Sequence, residues 1–96
     1  MLKYIIIEAI KQRQRLKVKY NDKQYLSVEF YSYGVNEKGV ELCRVYDVLG
    51  DNCFKLFRFD RIQIVEVRKN DRFNILRPGY TPNQDKQIKN ILECVK

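Results

Sequence analysis

From Leu16 to Arg68 the apolar residues of this chain recur at about every second position. A β-strand points successive side chains to opposite faces, so a period of two marks a strand with one buried face. Leu16, Val18 and Tyr20 alternate with Lys17 and Lys19. Leu26, Val28 and Phe30 alternate with Ser27 and Glu29, in a strand that has room to run on to Val35. Val40, Leu42, Arg44, Tyr46 and Val48 share one face of a third strand. Cys53 to Phe59 reads as a fourth, and Ile62 to Arg68 as a fifth. Asn21-Asp22-Lys23, Asn36-Glu37-Lys38-Gly39 and Gly50-Asp51-Asn52 supply the turns, with residue types that tolerate tight backbone.

Two segments keep helical spacing. Leu2, Ile5 or Ile6, Ala9 and Ile10 lie on one face of a helix over 2–14, with Lys3, Glu8 and Lys11 around it. Beyond Lys69 a connector leads to Thr81-Pro82-Asn83-Gln84, which resembles a helix start with a capping box. Ile88, Ile91, Leu92 and Val95 then form the apolar stripe of a predicted C-terminal helix. The expected fold is mainly β with flanking helices. A leading helix before five short strands at intervals of about ten residues is the layout of a five-stranded Sm-like or SH3-like small barrel. Residues 1–69 would form that barrel with its helix, and residues 70–96 the connector and second helix.

With 96 residues, this is one domain, able to bury a core without staples. The longest apolar run, Tyr4-Ile5-Ile6-Ile7, is too short to cross a bilayer, and no signal-peptide pattern precedes it. A cytoplasmic protein with no membrane partner is expected. Cys43, Cys53 and Cys94 are odd in number, no pair has Cys-x-x-Cys spacing, and histidine is absent. That composition argues against a structural zinc and removes the commonest general base. No phosphate loop or nucleophile elbow is present. The chain reads as non-enzymatic and without a cofactor.

The net charge of +7 is unevenly placed. Residues 1–20 carry six basic residues against Glu8 alone, and residues 61–80 carry five against Glu66 and Asp71. Residues 21–60 are slightly acidic. Two basic blocks that meet in space attract phosphates; two that stay apart simply keep the protein soluble. Tyr20, Tyr31, Tyr33 and Tyr46 fall on or beside strands, interleaved with Arg44, Lys55, Arg58 and Arg61. Single-stranded nucleic acid is held by aromatic faces for its bases and by cations for its phosphates. The competing reading is that Arg44 and Arg58 are internal braces on Glu41, Asp47 or Asp60.

Five stretches resemble the WYL domain family. Ala9-Ile10 stands where members end their first helix, and Leu16 to Tyr20 where their first strand runs to a tyrosine. Val28-Glu29-Phe30 takes the place of a Val-Glu-Pro-like segment. Glu41-Leu42-Cys43-Arg44-Val45-Tyr46-Asp47 keeps the Tyr-Asp end of the namesake strand but lacks Trp-Tyr-Leu itself. Phe57-Arg58-Phe59-Asp60-Arg61-Ile62 matches the final motif, roughly Phe-Arg-Leu-Asp-Arg-Ile, with one conservative change. The resemblance spans residues 5–68 and implies a small barrel that senses nucleic-acid or nucleotide ligands, in transcription regulation or phage defence. It implies ligand contacts at Arg44, Tyr46, Arg58 and Arg61. The chain has no room for a helix-turn-helix, so the resemblance reads it as a free-standing WYL protein or an excised domain.

The resulting expectation is a regulatory module. Arg44, Arg58 and Arg61 would contact phosphate with help from Lys55, while Tyr46, Tyr20 and Tyr33 stack on bases. The alternative is a protein-interaction domain that forms a homodimer, or docks on a larger effector, through its two amphipathic helices.

Overall fold

The computed structural model describes residues 1–96 and opens with helix α1, Leu2–Gln12. Ile6, Ala9 and Ile10 are its buried residues, on the face marked by the helical spacing. Arg13 ends it in the left-handed region at φ 54°, which turns the chain directly into the first strand. The strands that follow are β1 (Gln14–Tyr20), β2 (Gln24–Val35), β3 (Glu41–Asp47), β4 (Phe54–Arg58), β5 (Ile62–Arg72) and β6 (Asn90–Cys94). A single 3-10 turn, Phe59–Arg61, joins β4 to β5.

All pairings are antiparallel, and the strand order is β4-β3-β2-β1-β5 with β6 beside β2. One edge of β2 pairs β3 from Val28 to Val35. Its other edge pairs β1 from Gln24 to Glu29, then passes to β6 from Ser32 to Val35. The fold is therefore mainly β, as expected, but the sheet is not closed, because β4 and β5 do not pair. Leu16, Val18, Val28, Phe30, Tyr33, Cys43, Val45 and Phe57 join the α1 residues in one core. No helix is long and apolar enough to cross a membrane.

The expected C-terminal helix is not formed, and residues 90–94 are a strand. Thr81 and Gln84 close a turn, with Asn83 in the left-handed region at φ 61°. Asp85 Oδ1 then accepts the N–H groups of Gln87 and Ile88. An isolated helix of this length is marginal in water. The free edge of β2 pairs with Asn90–Cys94 across a bulge at Leu92, so the tertiary partner prevails over local spacing. Ile88, Cys94 and Val95 still bury, while Leu92 remains 49% exposed. Strand β5 likewise runs past residue 69, and Phe73 enters the core. The tail and the strands before it thus share one sheet and one core.

Candidate functional site

Register partners on neighbouring strands share a sheet face. Arg44 pairs with Leu56 and Ser32, Tyr46 with Phe54 and Glu29, and Leu42 with Arg58. Residues 73–88 cross this face, held by an aromatic and ionic layer. The ring of Tyr31 meets those of Phe54, Phe73 and Tyr80, with centres 5.3, 5.2 and 4.7 Å away. Beneath them lies Glu29, with no exposed surface. Its carboxylate accepts hydrogen bonds from Arg15 Nε at 2.9 Å, from Arg77 Nε and Nη2 at 3.1 Å, and from the Tyr31 hydroxyl at 2.9 Å. Burial, with Glu29 holding its proton, pushes the Tyr31 hydroxyl up to about 12. The Arg77 guanidinium also stacks 4.5 Å from the centre of the Tyr46 ring.

Between this layer and β3–β4 opens a groove of about 620 Å³. Phe54 and Tyr80 form its aromatic wall, and Gln84, Asp85, Lys86 and Gln87 line the side contributed by the tail. Arg44 reaches into it as a two-pronged donor. Its Nε and Nη2 bond Asp85 Oδ2 and Oδ1 at 2.9 and 3.1 Å, and Nη2 also bonds Gln87 Oε1 at 2.7 Å. With its oxygen engaged, the Gln87 side chain keeps its NH2 as a donor.

The remaining candidate residues are dispersed. Arg58 forks onto Asp60 at 3.3 and 3.1 Å in an exposed pair, the brace that sequence proximity offered. Lys55 bridges Asp47 at 3.2 Å and Asp51 at 2.9 Å. Arg61 is exposed, and it lines a separate groove with Lys19, Asn21 and Asp60. The Tyr20 ring stacks on Phe57 with centres 3.8 Å apart, and its hydroxyl accepts the Arg58 N–H. Tyr33 is fully buried, its hydroxyl donated to Glu41. Tyr46 is half-buried and donates to the Asn52 carbonyl. Of the seven residues singled out in the sequence, Arg44 alone lines this groove. Its partner is Asp85 rather than Glu41, Asp47 or Asp60. Residues 84–87 were missed because a helical reading of the tail points them elsewhere, and Tyr80 because it fell in the connector before that helix. Phe54 was legible as an apolar residue on the face of Arg58 and Leu56, and the β3–β4 register brings it beside Tyr46.

Two carboxylates make this architecture sensitive to acid. Burial pushes Asp85 up, but Arg44 and the Gln87 and Ile88 N–H groups outweigh it and hold its pKa below the ordinary value. Burial also raises Asp47, but the N–H groups of Asp51 and Gly50 and the Lys55 ammonium prevail, with the same net direction. A carboxyl with a depressed folded pKa takes up its proton first in the unfolded chain. Its contribution is complete above the ordinary value of 3.8 and is lost as pH falls through the folded value. The urea midpoint is thus expected to fall as pH is lowered from about 5 towards 2. Asp85→Asn should flatten that dependence, and an unchanged slope would remove Asp85 as a contributor.

Comparison of the chain with known protein families, curated proteins and solved structures yields no match.

Proposed function

We propose that this protein is a non-enzymatic sensing module whose groove takes a nucleotide-like anion, either free or carried by a single strand of nucleic acid. The observation that carries the reading is the convergence of an aromatic wall, two glutamines and a lysine on one 620 Å³ groove. That volume lies within the roughly 300–1,000 Å³ usual for small-molecule sites. Phe54 and Tyr80 offer apolar surface to a base. The Gln84 side-chain amide carries the paired donor and acceptor that a base edge presents, and Gln87 adds the donor that its NH2 retains. Lys86 is exposed and supplies a charge for phosphate. Arg44 acts here as a positioning residue, holding Asp85 and Gln87 to the sheet.

The 3-10 turn between β4 and β5, and the β5–β1 pairing, support the finer reading of the fold as an Sm-like or SH3-like barrel left open at β4 and β5. The Phe57–Ile62 motif supports kinship with WYL domains, and with it a role in transcription regulation or phage defence. A second reading, dimerisation or docking on a larger effector, keeps one supporting observation: Tyr4 on α1 is 62% exposed.

Titration calorimetry with adenosine and uridine monophosphate at low salt tests the groove. Saturable binding is expected, weakened about tenfold by Lys86→Ala, because charge-assisted hydrogen bonds are the strong ones. Gln84→Ala should change the preference between the two bases. No saturable binding of either nucleotide would overturn the assignment.

A further inference from the structure

A second aromatic and cationic constellation lies on the sheet away from the groove. Lys17 and Lys19 are two residues apart on β1, so they share one face at about 6.6–6.8 Å along the strand. That is comparable to the spacing of neighbouring phosphates on an extended nucleic-acid strand. Tyr25 on β2 is the register partner of Lys19. The residue is 60% exposed, and the Lys17 and Lys19 ammonium groups lie 5.6 and 5.5 Å from the centre of its ring. Beside it opens a shallow groove of about 300 Å³, to which Lys17, Tyr25, Ser27, Asp47, Leu49 and Arg68 contribute, with the Asp47 carboxylate engaged by Lys55 and by the Gly50 and Asp51 N–H groups. It shares no lining residue with the Arg44 groove.

The charges of these lysines are available. The register partner of Lys17 on β5 is Glu66, and Glu66 is bridged to Arg68 at 3.1 Å instead. Lys17 makes no ion pair. Lys19 reaches Asp22 at 3.3 Å, but that carboxylate is 89% exposed, and such a pair exchanges readily. Nothing in the core requires an exposed tyrosine flanked by two ammonium groups.

We propose that this patch binds single-stranded nucleic acid, with a base stacked on Tyr25 and successive phosphates on Lys17 and Lys19. An unpaired base is needed because only an unstacked base exposes its face to a side chain. The patch stands apart from the nucleotide reading of the groove and does not depend on it.

Fluorescence anisotropy with labelled oligothymidylate of about ten nucleotides tests the patch. Tyr25→Ala is expected to weaken binding on the order of tenfold, while Tyr25→Phe retains it. Lys17→Gln with Lys19→Gln should lower the slope of log K against log salt by about 1.4, the loss of two phosphate contacts on a single strand. Mononucleotide binding should be unaffected by these changes, so failure of the groove and failure of the patch are separable. Three results would overturn the proposal. Wild-type protein shows no oligothymidylate binding, the substitutions leave affinity and salt slope unchanged, or poly-glutamate binds as tightly with the same dependence on Tyr25.

Discussion

Replacing Glu29 with alanine is expected to destabilise the fold by roughly 3 kcal/mol, the lower end of the cost of breaking a buried ion pair. For a domain of this size that lowers the melting temperature by about 12–24 °C. The lower end is chosen because the Arg15 and Arg77 side chains are 25% and 32% exposed and can turn to water once the carboxylate is gone. What they leave is a void beneath Tyr31 and a hydroxyl without its acceptor. Arg77 belongs to the segment that covers the sheet, so loss of Glu29 also loosens the roof of the groove. Circular dichroism melts of Glu29→Ala, Arg77→Ala and the double variant measure the coupling between them. If Glu29→Ala costs less than about 1 kcal/mol, the carboxylate is not the node that joins the tail to the sheet.

Gly34→Ala is expected to have a comparable effect by a different route. Gly34 sits on β2 between Leu42 of β3 and Ile91 of β6. A Cβ there would run into the Asn90 carbonyl oxygen and come within 2.6 Å of Ile88 Cγ2. Backbone cannot move aside as a flexible side chain does, so β6 must shift from the edge of β2. Overpacking of this kind costs about 1–3 kcal/mol, and the loss of ladder hydrogen bonds adds to it. Cys94, at the end of β6, is buried and provides the readout. Its thiol should become reactive towards an alkylating reagent in the variant. Cys53 is exposed and Cys43 is buried in the core, so they mark the two limits. Unchanged protection of Cys94 would show that β6 accommodates the methyl group.

The period of two between Leu16 and Arg68 was sufficient to place five strands, because side-chain alternation is imposed locally by strand geometry. The helical face of α1 was legible for the same reason. Residues 81–95 were not. Ile88, Ile91, Leu92 and Val95 satisfy helical spacing, and no local signal records that β2 has a vacant edge to fill. That edge exists only because β1 leaves β2 after Glu29, a feature of the whole sheet.

The candidate site divides along the same line. Arg44 stood out in the sequence as a cation on an apolar face, which obliges a guanidinium to find a carboxylate or a pocket. That Arg44 needs such a partner therefore followed from alternation alone. Which carboxylate it meets did not, since Asp85 is 41 residues away and arrives only when the tail folds back. The chain by itself determined the first five strands, the α1 face and the uneven placement of charge, all of which rest on neighbours a few positions apart. Tertiary structure decided that most of the candidate cations are paired, that Tyr33 is buried, and that the aromatic and amide groups of the tail complete a groove. Those outcomes rest on contacts between distant residues, which local spacing does not encode.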